Sequence, residues 1–355
     1  MHVAGVIHPA GRPRRSVWAP PGRQALTALA LTAAVGAGCS PTPPPEGGAL
    51  PLQPAGEIAL PGNGSRFDYE SLDIDRGLLF IAHLGADEVI EVDLGARQVV
   101  RTVPGISQVH GVLVVPERRR VYATATGADR LVVLDEDTGA VLAQGPTGHY
   151  PDGLAYDGKR GAVWTTNKLG GSETVFDADT AKVRGTVDLG GEVGNVAYDP
   201  IGDQMLVAVQ GHNELAAVDP DTRTVVRRLP LPGCEGGHGL ALDPADRLAF
   251  VACEGNATLV TVDLASWQAP ATDPVGRDPD VLAYDPGTHR LYVAAESGTV
   301  TVFDQTDRHL TELGSGHLAD DAHVVAVDPA TGHTYYPVTA GSNGSPTLLD
   351  RIPTP

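Results

Sequence analysis

From about residue 55 onward the apolar residues fall in short runs of strand length, and almost none of them shows the spacing of an amphipathic helix. Runs such as Gly239-Leu240-Ala241-Leu242-Asp243, Arg290-Leu291-Tyr292-Val293-Ala294 and Thr299-Val300-Thr301-Val302-Phe303-Asp304 are rich in β-branched residues. Each is bounded by Gly, Asp or Pro, which punctuate strands and turns. The pattern recurs about every 42 residues, the period of a four-stranded propeller blade. Innermost strands are expected to begin near Glu70, His110, Asp152, Gly194, His238, Asp280 and His323, one per repeat. The prediction is therefore an all-β chain folded as a seven-bladed β-propeller with four-stranded blades over residues 55–355. The last repeat ends with a third strand over residues 346–352 and lacks a fourth. Residues 57–62 read as an orphan outer strand, so the N-terminal strand is expected to complete the last blade. Such closure removes the open edge that would otherwise template aggregation.

The N-terminal segment changes the picture of location. Arg12, Arg14, Arg15 and Arg23 precede an apolar run from Ala25 to Val35, which ends in Gly36, Ala37 and Gly38 before Cys39. This is the layout of a signal peptide over residues 1–38, and the apolar run is too short to span a bilayer. The stretch up to Cys39 resembles a bacterial lipobox, although Gly36 stands where Leu is commonest, and it marks Cys39 as the lipidation candidate. Residues 39–54 hold Pro41 and Pro43-Pro44-Pro45 and read as a stiff tether. The expectation is an exported protein of the periplasm or outer envelope face, touching the membrane only through a lipid anchor.

Composition supports the fold, with 43 Gly and 29 Pro for turns. Formal net charge is -19, and removing residues 1–38, with four arginines and no acids, leaves -23. Such a surface repels phosphate backbones, so nucleic acid is not expected as a partner, whereas a small cationic molecule, a metal or a basic protein is favoured.

The strand Val163-Trp164-Thr165-Thr166-Asn167, the weaker copies Leu291-Tyr292-Val293-Ala294-Ala295 and Val121-Tyr122-Ala123-Thr124-Ala125, and the turns at residues 135–139 and 219–222 carry a family likeness. Over about residues 55–352 the chain resembles the YVTN-type, YncE-like propellers of bacterial periplasms and surfaces. The resemblance implies fold and envelope location, not an activity, since propellers host many chemistries.

Aligning the repeats puts Glu70, His110, Asp152, Gly194, His238, Asp280 and His323 at one position, where side chains are expected to converge on the central channel. The ends of the second strands return to this face with His83, Asn167, Gln210 and Cys253, and nearby loops add His149, Lys168, His212, Glu254 and Glu296. Glu70, His110, Asp152, His238, Asp280 and His323 are thus candidate ligand-binding residues. One reading is a polar cap on a wet channel. A second is a zinc, copper or iron site of His83, His110, His323 and Glu70. A third pairs Asp280 with His238. Cys234 and Cys253 are expected to form a disulfide, the alternative being a soft-metal site with His238.

No Gly-x-Ser-x-Gly elbow, P-loop or Gly-x-Gly-x-x-Gly fingerprint is present. The leading reading is a non-catalytic module binding a small molecule, metal or protein at the channel mouth, as a monomer. The alternatives are a metal-using enzyme like the propeller lyases or lactonases, and envelope metal handling without turnover.

Overall fold

The computed structural model describes residues 49–354. The expected signal segment, Cys39 and most of the expected tether lie outside these residues. Seven four-stranded antiparallel sheets form a seven-bladed propeller, and in six of them the strands follow chain order from the central channel outward. Blade 3 is representative, with Pro151–Asp157 innermost, then Ala162–Asn167, Ser172–Asp177 and Val183–Asp188.

Burial along each blade explains the sequence pattern. The second strands Leu78–His83 and Leu248–Cys253 are buried at every residue, because blades cover both faces, and so they read as continuous apolar runs. The outermost strand Gln98–Pro104 alternates between exposed and half-buried residues. The hydrophobic interior is divided into seven clusters, one between each pair of adjacent blades.

The ring closes through blade 7, where Leu52–Ala59 pairs antiparallel with Thr347–Pro353, Ile58 lying opposite Leu348. Ile58 and Leu60 are buried with Phe67, Tyr335 and Leu348 between blades 7 and 1. This strand starts at Leu52 and ends at Ala59, several residues earlier than residues 57–62. Its first half carries Pro54 and a register shift between Pro54 and Gly56, which obscure a strand signal yet are tolerated on an outer edge.

Among the described residues, eleven aspartates at the ends of first and third strands, including Asp73, Asp157, Asp199, Asp243 and Asp285, accept hydrogen bonds from backbone N–H groups two or three residues on. These turns lie on the face opposite the channel mouth. A good part of the acidic excess is therefore spent on turn geometry.

Candidate functional site

In four blades the innermost strand brings one side chain to the mouth just where its pairing is interrupted. In blades 2, 3, 5 and 6 the register shifts between Val109 and Val112, Pro151 and Leu154, Gly237 and Leu240, and Pro279 and Leu282. The bulged residues are His110, Asp152, His238 and Asp280, and the bulge turns them out of the ladder toward the axis. Neighbouring strands approach so closely here that a Cβ at Gly194 would lie 2.6 Å from the His238 backbone. Blade 4 therefore contributes no side chain at the ring position, and the gap gives His238 its room.

The blade 1 register differs from the expected one. The bond pair Asp68 N to Ala82 O and Ala82 N to Tyr69 O, at 2.8 and 2.9 Å, repeats the pair Gly194 N to Ala208 O and Ala208 N to Asn195 O, at 2.8 and 3.0 Å. Asp68, not Glu70, is the ring residue. Glu70 lies two residues deeper, lining the channel with Ser71, Leu113 and Val325. Burial pushes its carboxyl well above the usual range, against a pull from the Ala326 backbone.

The mouth encloses a cavity of about 390 Å³, lined among others by Arg66, Asp68, Tyr69, His110, Tyr150, Asp152, Lys168, His238, Glu254, Asp280 and Glu296. Five carboxyl side chains thus face two permanent cations and two imidazoles. Arg66 binds Glu296 at 2.7 Å and Asp68 at 3.2 Å, and stands 3.7 Å from Asp280. His238 is held by Gln210, whose Oε1 is 3.2 Å from its Nδ1, and Gln210 Nε2 donates to Glu254 at 2.6 Å. On the other side of the ring, Nε2 lies 3.4 Å from Asp280 and 3.3 Å from the Tyr69 hydroxyl, which donates to Asn195 at 2.7 Å. His110 places Nδ1 3.0 Å from the Gln108 carbonyl and Nε2 3.2 Å from the Tyr150 hydroxyl.

These partners move protons in opposite directions. Burial and the Lys168 charge oppose protonation of His238, but Asp280 and Glu254 outweigh them and raise its pKa. Burial lowers that of His110 despite Asp152. Burial, the Asp280 charge and Asp152 push Asp68 up to about 7 even though Arg66 pulls it down. Burial works against ionisation of Asp280 too, but His238, His323 and Arg66 hold it below the usual carboxylate range. Two carboxyls of one ring are thus separated into an ionised member and one that titrates near neutrality.

The expected metal set is not brought together. His83 stacks on Phe67 at 4.3 Å and bonds Ser65 and Glu88 outside the mouth, and Glu70 lies below it. Two other groups have ligand-capable atoms close enough for an ion, His238 with Glu254 and Asp280, and Asp280 with Glu296 and His323. In the first, His238 turns different nitrogens to its two carboxylates and favours the protonated form. In the second, Arg66 already bridges the two carboxylates. His323 is the better prepared ligand, since its Nδ1 is 2.8 Å from the Asp321 carbonyl and its buried Nε2 has no hydrogen-bond partner among the described residues.

Cys234 and Cys253 are joined by a disulfide. The bridge ties the loop leading to His238 to the strand end that carries Glu254. Asn167 holds the Gly148 loop by accepting its N–H at 2.8 Å, while His149 and His212 stay exposed beside Asp129 and Glu214. Of the second-strand residues only Gln210 bonds to a cavity side chain.

No family model matches the chain, and no curated protein matches its sequence. Solved structures do match its fold. U3-55K superimposes with a TM-score of 0.71 at 12% identity, covering 85% of this chain and 100% of that one. Virginiamycin B lyase from Staphylococcus aureus gives 0.70 at 12%, covering 85% and 98%. Hydrazine synthase of Kuenenia stuttgartiensis gives 0.70 at 14%, covering 84% and 97%. At these identities the likeness is one of fold.

Proposed function

We propose that this chain is an exported, lipid-anchored propeller of the YncE-like kind that acts as a non-catalytic binding module, taking a small polar ligand into its channel mouth. The observation that carries this reading is the cavity of about 390 Å³ whose charged walls come from five of the seven blades. Ligand sites are commonly concave, preformed and supplied with convergent polar groups. Here burial, bulges and a disulfide fix those groups in place. Location is supported by the signal-like and lipobox-like segments of the sequence and by the disulfide, which suits an oxidising compartment. The outer strand that follows the tether begins at Leu52, which pairs with Pro353 at the face opposite the mouth.

The test is ligand-observed NMR with a library of small polar compounds, comparing the protein with a Leu84→Trp variant, since Leu84 lines the cavity. Binders lost in the variant support the mouth as the site. Binders that ignore the added indole would place recognition elsewhere.

A metal-using reading is favoured by one observation, the unpartnered Nε2 of His323 beside Asp280 and Glu296. Binding there requires Arg66 to leave its carboxylates. Metal analysis of the protein purified without chelator, beside a His323→Ala variant, tests it: near-stoichiometric metal lost in the variant supports that reading, and metal-free protein opposes it.

A further inference from the structure

Asp152 stands apart from the other carboxyls of the mouth. It is 3% exposed and faces the cavity, yet its Oδ1 has no hydrogen-bond partner among the described residues. The nearest cationic nitrogen to Oδ2 is His238 Nε2 at 4.0 Å, beyond hydrogen-bond reach. The remaining acids are served: Asp68 and Glu296 by Arg66, Glu254 by Gln210, and Asp280 by His238 with Arg66. The neutral donors around Asp152 are engaged elsewhere, Tyr69 with Asn195 and Tyr150 with His110. A carboxylate withdrawn from water without a donor is costly, and a ligand that supplies the donor recovers that cost.

We propose that Asp152 is the anchor for a small organic ammonium, whose N–H groups donate to its carboxylate while the carbon skeleton lies against the Tyr69 and Tyr150 rings. The inference rests on reading the mouth as a ligand site. The acidic balance of the cavity and of the whole chain favours a cation, and a charge-assisted hydrogen bond is stronger than a neutral one. Aromatic rings beside the bound nitrogen add cation–π attraction. A metal ion fits Asp152 less well, because Asp152 belongs to neither group of three ligand-capable atoms. Lys168 is the competing cation: its ammonium lies 4.0 Å from Glu254, and Asp152, Glu254 and Asp280 raise its pKa against burial. Removing the Lys168 charge strengthens the hold of Asp152 on an incoming ammonium.

The experiment is calorimetric titration of the purified full-length protein with n-butylammonium, tetramethylammonium, butyrate, n-butanol and zinc chloride. The expected result is one butylammonium bound per chain, with tetramethylammonium weaker because it has no N–H to donate. Asp152→Asn is expected to weaken butylammonium at least about tenfold, the equivalent of roughly 1.4 kcal/mol. Lys168→Gln is expected to tighten it, a change opposite in sign that a general loss of folding does not produce. Binding of butyrate, butanol or zinc in place of butylammonium overturns the ammonium assignment and leaves the mouth a ligand site. Absence of binding by every probe overturns the ammonium assignment, and the library screen then decides the fate of the binding-module reading. Equal butylammonium affinity in wild type and Asp152→Asn overturns the role of Asp152.

Discussion

Glu173 pairs with Thr166 in blade 3, at the position that Val89, Leu131, Leu215, Leu259 and Val300 fill in blades 1, 2, 4, 5 and 6. It is fully buried, neither carboxyl oxygen has a hydrogen-bond partner among the described residues, and burial pushes its pKa well above the usual range. Nothing in the structure explains why an acid stands there. A carboxyl raised in the folded state contributes stability that is fully present below its unfolded pKa and is lost as pH rises toward the folded one. Replacing Glu173 by Gln is therefore expected to raise the melting temperature by a few degrees at pH 8 and to change it little near pH 4. A gain of equal size at both pH values would contradict the buried-acid account. Residue identities at the mouth were largely legible, since His110, Asp152, His238 and Asp280 line it and His323 is buried beside Asp280 and Glu296. The blade 1 residue was readable too, by a signal the apolar alignment passed over. Asp157, Asp199, Asp243, Asp285 and Asp328 each follow their ring position by five residues, and counting back five from Asp73 gives Asp68.

Elements were legible wherever strand composition and turn chemistry agreed, and poorly legible where an edge strand needed neither. The closing strand shows both cases. Ile58 and Leu60 mark its buried end, whereas residues 52–56 pair with the chain's C-terminal strand and only Leu52 among them packs into a hydrophobic cluster. Closure is expected to depend on that buried end. Ile58→Ala should cost about 2–4 kcal/mol, read as a lower denaturation midpoint, with hydrogen exchange increased first in blade 7. Uniform exchange across all blades would mean that blade 7 is not the weak closure. The Cys234–Cys253 bridge is a second device at this scale. Paired Cys→Ser substitution is expected to cost about 3 kcal/mol and to weaken ligand capture at the mouth, because the bridged segments carry His238 and Glu254. A variant of unchanged stability and unchanged affinity would make the bridge incidental. Between blades 3 and 4, Arg160 joins Asp157 to Asp203 and Asp221, so the opposite face is also clipped by charge.

On the scale of the whole molecule, the seven-fold repeat concentrates chemistry that no local motif announces. Tyr69 and His238 are 169 residues apart and meet across the channel, and Arg66 gathers acids from blades 1 and 6. Spacing along the chain carries no trace of such pairs, which is why the ring was readable as a set of residues and its partnerships were not. The supposed four-residue metal set failed for the same reason, as equivalent register does not mean equal depth or a common direction. The central claim is that the mouth is one electrostatically coupled site rather than a collar of independently solvated side chains. It is tested most directly by following the histidine ring resonances with pH by NMR, in wild type and in an Asp280→Asn variant. The account predicts that His238 titrates above the ordinary imidazole range and His110 below it, and that Asp280→Asn brings His238 down. Ordinary titration of both rings, unmoved by the variant, would contradict it.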